Sequence, residues 1–323
     1  MNPSRRRLLA AALLAPCAAH LHAEEKPLIR ILVGLPPGGG TDAIARYLAE
    51  QLQKELGQTV IIENKVGVGG RLAANALLEA APDGTTYMIC PNATPTFQML
   101  VFGDQVRWDI LRDFAPVASL VSYPLGMAVN PALGVSNVRE FIAWAKANPA
   151  QAGYGAPGVG GQNAFLGEQF AKLAGIRLPL VPYKGTPPMI TDLVGGHVPS
   201  AISLMDQMIR FHEEGRVRVI GIFSDERSPL MPDIPTFAEQ GFKVQGGDGW
   251  NAMWAPAGTP EAELQRMRDA LQKILARPEV AKFLNTTLFV SPDYRDGAAT
   301  FARQRDELEV WKPIIEASGF KAQ

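Results

Sequence analysis

The chain has 323 residues, 47% of them hydrophobic, with 31 basic side chains against 32 acidic ones. That near-neutral balance excludes the strongly basic class that binds nucleic acid, and the length points to two domains rather than one. Two cysteines and four histidines, with no Cys–Cys or His–x–x–x–His spacing, exclude a disulfide framework and a structural zinc site, so no metal or other cofactor is expected.

Arg5, Arg6 and Arg7 precede an apolar run from Leu8 to Ala19, the layout of an export signal whose core is too short to span a bilayer. Ser4-Arg5-Arg6 with Leu8 and Leu9 suits the twin-arginine route as well as the Sec route, and cleavage is expected after Ala23. Losing three arginines and no acid leaves 28 basic against 32 acidic residues, a mature net charge near −4.

A strand at Ile29–Leu35, a helix at Asp42–Leu56, a strand at Thr59–Glu63, a helix at Arg71–Ala81 and a strand at Thr85–Cys90 follow. This βαβαβ order predicts a parallel sheet covered by helices on both faces. Phe114–Val129 is a long β-prone run suited to crossing between domains. A second α/β series has helices near Val138–Ala147, Gln162–Ala174 and Met189–Val194. Its strands lie near Ala152–Ala156, Leu178–Pro182, Ser200–Leu204 and Val217–Phe223. Asp225–Pro235, rich in proline and charge, is the expected return, with Val217–Pro235 as the second crossing. Helices close the chain at Glu261–Ala276 and Ala298–Ala317. The expected division is a signal at 1–23, one discontinuous lobe at 24–120 and 236–323, and a second lobe at 121–235.

Three glycine-rich loops stand where a strand gives way to a helix: Pro36–Asp42 (PPGGGTD), Asn64–Arg71 (NKVGVGGR) and Gly155–Gln162 (GAPGVGGQ). Glycine lets backbone N–H groups approach a ligand, and a helix N-terminus adds unpaired donors and the positive end of its dipole. Together they form a cradle for a small anion. A β-branched residue at Gly39 is expected to strain φ there. Other readings of the glycines fail on chemistry. Gly155–Gly160 has the span of a phosphate-binding loop, but Gly161-Gln162 replace the lysine and hydroxyl residue it needs. The G-x-G-x-x-G at Gly153–Gly158 lacks the ribose-binding acid some twenty residues on. There is no G-x-S-x-G elbow, and only His197 and His212 follow the signal, which weighs against an exported hydrolase. Asp42 is expected to cap its helix and shape the pocket, His197 to sit at a helix end, and Trp250 to wall the cleft.

The order and spacing of several segments then resemble one family, the Bug-type periplasmic solute receptors of tripartite tricarboxylate transporters. They are PPGGGTDAIAR (Pro36–Arg46), ENKVGVGG (Glu63–Gly70), PDGTTY (Pro82–Tyr87), DFAPVASL (Asp113–Leu120), VPYKGTPPMITDLVGG (Val181–Gly196), IPTFAEQGF (Ile234–Phe242) and WAPAGTP (Trp254–Pro260). The resemblance implies an α/β, two-lobed type II periplasmic binding fold that closes like a Venus flytrap about hinge strands. It implies a non-enzymatic, monomeric receptor that takes a small organic carboxylate to inner-membrane transporter subunits, or presents it to a signalling system. It maps Pro37, Gly38, Gly39, Gly40, Thr41 and Asp42, then Gly67, Val68, Gly69 and Gly70, onto pocket loops. Gly158, Gly160, Gly161, Tyr183 and Gly185 map there too, and Thr94 and Trp250 join the candidate set. Arg71 stands where the family has a small or amide residue, and is a candidate clamp for a second carboxylate. Phe165-Leu166 replaces a family His-Leu pair. Ser203 stands where an acid is common, with Asp206 three residues on; the loss of that acid argues against an amino-acid ligand.

Overall fold

A computed structural model of the chain describes residues 27–157 and 160–320. The expected export signal and Gly158 lie outside the described residues. The first series comprises β1 (Ile29–Val33), α1 (Gly40–Leu56), β2 (Val60–Asn64), α2 (Arg71–Leu78), β3 (Thr86–Pro91) and α3 (Ala93–Phe102). After β4 (Phe114–Val129) and α4 (Val138–Ala147) comes the second: β5 (Tyr154–Pro157), α5 (Gln162–Ala174), β6 (Leu180–Tyr183), α6 (Thr186–Gly195), β7 (Ser200–Leu204), α7 (Met205–Glu213) and β8 (Arg218–Ile222). The chain returns through β9 (Asp248–Pro256), α8 (Glu261–Leu275), α9 (Pro278–Thr287), β10 (Ser291–Arg295) and α10 (Gly297–Ser318).

The strands run in the order β2-β1-β3-β9-β4-β7-β5-β6, with β8 and β10 also on β4. β1, β2 and β3 are parallel, as are β5, β6 and β7. That bears out the parallel pairing expected of the βαβαβ series, and the whole is nevertheless mixed. β4 and β9 carry the chain between the halves as antiparallel neighbours, and an antiparallel pair needs no crossover helix. β4 is sixteen residues long, roughly 50 Å of extended chain. Its residues up to Pro124 pair with β9, and Leu125–Val129 pair with β7. The strand lying along the first part of β4 is therefore β9, which the sequence expectation lacked, whereas β8, within the expected Val217–Pro235 crossing, pairs with its last part. Besides β9, the helices α3, α7 and α9 and the strand β10 go beyond the sequence expectation. In α3 the reason is visible: Thr94, Pro95, Thr96 and Gln98 are buried there, which removes the apolar-inside pattern.

Period-two alternation puts a core on each face of the first half. Ile29, Ile31 and Val33 of β1, Tyr87 and Ile89 of β3, and Met253 and Ala255 of β9 face α1 and α8. Leu32, Met88, Cys90, Trp250, Ala252 and Trp254 face α2 on the other side. In the second half Leu125, Met127 and Val129 of β4 face α4 and α5, whereas Ala128 faces α6 and α7.

Helix α10 fastens the two halves together. Near its start the Thr300 hydroxyl oxygen accepts the Ser119 N–H at 2.7 Å, and Gln304 donates to Thr96 at 2.9 Å. Its last turns place Trp311 and Ile315 among Phe97, Phe165 and Phe170 of the second core. Between these anchors lies Glu307, which accepts from Asn92 Nδ2 at 2.5 Å and from the Trp250 indole at 2.8 Å. Burial pushes Glu307 up to about 7; the bonds from Asn92 and Trp250 and the nearby Arg303 oppose that shift only in part. The native state therefore keeps a proton that the unfolded chain releases from about 4.5 upward. Native binding of the extra proton makes stability fall as pH rises through this window. Urea midpoints measured from pH 4.5 to 8 are expected to decline more steeply for the native protein than for Glu307→Gln, and parallel profiles would refute the role given to Glu307.

Candidate functional site

The C-terminal ends of both parallel sets lead straight into helices, the place where open α/β sheets bind ligands. β1, β2 and β3 run into α1, α2 and α3; β5, β6 and β7 run into α5, α6 and α7. None of these six helices has a side-chain N-cap bond, and four have glycine at the cap position: Gly39, Gly70, Gly161 and Gly185. Of the helices that start elsewhere, α4 and α10 are capped by Asn137 and Asp296, whereas α8 and α9 begin at Pro260 and Arg277 without a side-chain cap; glycine at the cap is confined to the sheet-end helices. Without a capping side chain the first-turn N–H groups remain available to an external acceptor. The two sets of loops approach each other closely, since a side chain built on Gly40 would lie 3.4 Å from Asp206 Oδ2.

The first loop is shaped by Asp42. Its Oδ2 accepts from the Gly38 N–H and from Arg46 Nε, both at 2.8 Å, and its Oδ1 accepts from Asn64 Nδ2 at 2.7 Å. Burial alone would raise the pKa of this carboxyl, but the bonds from Arg46, Gly38 and Asn64 more than offset it and hold it below the usual aspartate value. Asp42 is the third helical residue rather than the cap, so its side chain reaches back to the loop instead of closing the helix end. The left-handed residue here is Gly38, at φ +80°. Gly39 has φ −75°, which any residue tolerates, so the strain expected at Gly39 belongs to Gly38. Pro37 and Gly38 are exposed, whereas Thr41 is buried and accepts from Asn251 Nδ2 at 3.2 Å.

In the second loop Val68 has φ +48°, an uncommon strain for a β-branched side chain, and stands exposed. Gly67, Gly69 and Gly70 all have positive φ; a side chain on Gly69 would strike Gln98, and one on Gly70 would strike Thr94. Thr94 is thereby brought against this loop. Arg71 turns toward α3: Nε donates to Gln98 Oε1 at 2.9 Å, one terminal nitrogen donates to the Gln105 carbonyl, and the guanidinium lies over the Phe102 ring. In the second half, Gly160 packs under the Phe320 ring and Gly161 precedes α5. The Tyr183 hydroxyl donates to Asp192 on the following helix, and Ser203 is buried 3.5 Å from the Thr186 hydroxyl.

Trp250 is on the face of β9 opposite Asn251, turned toward α10, with Arg303 over its ring. It lines a cavity of about 320 Å³ with Asp248, Arg303 and Glu307, and a neighbouring cavity of about 330 Å³ shares Asp225, Asp248 and Arg303. Neither cavity includes a glycine-loop residue, so the anion cradle remains the candidate site on chemical grounds. Sequence reasoning missed Tyr123 and Asn251: Tyr123 donates to Asn251 Oδ1 at 3.0 Å, joining β4 to Thr41 of the first loop. Asn251 between Trp250 and Ala252 was the available signal, since strand alternation sends it to the other face. His197 follows the C-cap of α6, where a helix end was expected.

Comparison with known proteins adds three findings. Residues 44–320 match the family model described as the tripartite tricarboxylate transporter family receptor. The chain is 31% identical to the protein BugT of Bordetella pertussis over 313 residues, covering 95% of this chain and 94% of that one. Two solved structures from Rhodopseudomonas palustris superpose well. Rpa4515 with adipate has a TM-score of 0.81 at 26% identity, covering 90% of this chain and 97% of that one. MatC with bound malate has a TM-score of 0.77 at 26% identity, covering 89% and 98%.

Replacing Asp42 with alanine removes three hydrogen bonds that shape the first loop. The loss expected at neutral pH is about 1.5–3 kcal/mol, the range for a bond to a charged group, read from urea unfolding. Because the native carboxyl titrates below its ordinary value, this deficit should shrink as pH falls through the native titration. A deficit that grows on acidification would contradict the assignment.

Proposed function

The chain belongs to the family of tripartite tricarboxylate transporter receptors, and from that membership we propose that it captures a small dicarboxylate in the periplasm and hands it to the membrane subunits of such a transporter. The observation that carries the reading is the set of six helix N-termini without side-chain caps at the sheet ends. Malate and adipate, bound by the two R. palustris relatives, have a carboxylate at each end, which suits a cradle on each lobe. In this reading Gly38–Asp42 and Gly67–Gly70 hold one end of the ligand, and Gly160, Gly161 and Gly185 the other. The lobes comprise 24–120 with 236–323, and 121–235, and the receptor acts as a monomer without catalytic turnover.

Binding works by population shift. A ligand that touches both lobes only when they are closed favours closure by its differential affinity for that state. β4 and β9 are the bending elements, and their pairing is irregular between Pro116 and Ala118 and between Ser119 and Val121.

A thermal-shift screen of mono-, di- and tricarboxylates and amino acids tests the ligand class. A cognate dicarboxylate at a hundred times its Kd is expected to add about 2.7 kcal/mol of stability. No stabilisation by any carboxylate would reject the proposal. Small-angle scattering should then give a smaller radius of gyration with that ligand than without it; identical profiles at saturation would reject closure.

A further inference from the structure

Asp206, an acid of the second half, meets the first glycine loop. It stands in the first turn of α7, and its Oδ2 is 3.4 Å from where a side chain on Gly40 would begin. The residue as a whole is half-buried, but its Oδ1 is sealed from solvent and has no hydrogen-bond partner. A buried carboxyl with an unmet oxygen, pressed against an anion cradle, needs either a cation or a proton.

Among the described residues, the elements around it supply no cation. β4 contributes Tyr123, kept protonated by burial, and β7 contributes the neutral Ser203. Arg218 of β8 acts on His212, near the far end of α7. On α1, Asp42 already engages Arg46. Arg210, His212 and Glu213 share the helix with Asp206, and among the described residues no ion pair reaches it. Burial pushes Asp206 up to about 6, opposed only by the Gln207 N–H.

We propose that Asp206 enters the ligand-bound state as a neutral carboxyl and donates a hydrogen bond to the carboxylate held at the first glycine loop, so that each capture takes up a proton. This rests on the carboxylate-receptor reading. The bound anion disfavours ionisation of a second carboxylate beside it, which moves the Asp206 titration upward when the ligand arrives. The residue also sets specificity: a carboxylate can share the proton of Asp206, whereas a ligand bearing an ammonium beside its carboxylate would require the ionised form.

The test follows the Asp206 carboxyl carbon by NMR in aspartate-labelled protein, with Asp206→Asn identifying the signal, and measures Kd for succinate, malate and adipate between pH 5 and 8. The expected result is a midpoint near 6 in the free protein that rises with ligand. Between the two midpoints Kd should weaken by up to tenfold per pH unit. Asp206→Asn, which keeps a donor, should bind with little pH dependence, and Asp206→Ala should bind weakly at every pH. A midpoint below 5 with and without ligand, a flat pH profile, or affinity that improves as pH rises would overturn the proposal. Failure of all three probes to bind while Asp206 still titrates near 6 would instead overturn the carboxylate reading, and the proposal with it.

Discussion

Strand β4 is the constraint on which the rest of the structure depends. One run of backbone is hydrogen-bonded to β9 over its first part and to β7 and β8 over its last, so β2-β1-β3-β9 and β7-β5-β6, each paired within itself, become one sheet only through it. Its burial is almost complete along the whole length, which ties its geometry to the cores on both sides. A strand this long can twist and flex, but it cannot let the halves slide past one another. The irregular pairing near Pro116 and Val121 puts the least regular part of this connection in the middle of the molecule, where the proposed closing motion would bend it.

Helix α10 sets a second limit on that motion. It begins against β4 through Thr300 and Ser119 and ends among the aromatic rings of the second core, with Trp311 edge-on to Phe97 and Phe320 edge-on to Phe165. The buried Glu307 in its middle joins the junction of β3 and α3 to β9 through Asn92 and Trp250. The helix therefore resists bending by apolar packing at one end and by a buried polar junction at its centre, two contacts of different physical origin.

Much of the architecture is legible in the sequence because its signals are local. Alternation in Ile29–Val33 and helical spacing in Glu261–Leu275 need no knowledge of the partner surface, and those elements emerge within a residue or two of expectation. α3 is illegible because its inward face is Thr94, Thr96 and Gln98, polar residues accommodated by contacts with the glycine loop and α10. The same divide runs through the site. Glycine loops announce themselves by composition. The Thr41–Asn251–Tyr123 chain does not, because its members are separated by up to 210 positions and meet only once β4 and β9 lie side by side. Arg71, prominent as a charge at a loop exit, engages Gln98 and the Gln105 carbonyl, partners that no spacing rule reveals.

On the proposed reading, a grip on the ligand by the six helix ends that lack side-chain caps has an evolutionary consequence. A hydrogen-bond donor that belongs to the main chain survives every substitution at its own position except proline. Random mutation can therefore erase a side-chain grip in one step, but it erodes a backbone grip only by blocking access to it. The glycines protect access, not chemistry. Descendants of such a protein can exchange the residues that read the remainder of a ligand while the anchor persists, so new specificities are reached without passing through a form that binds nothing.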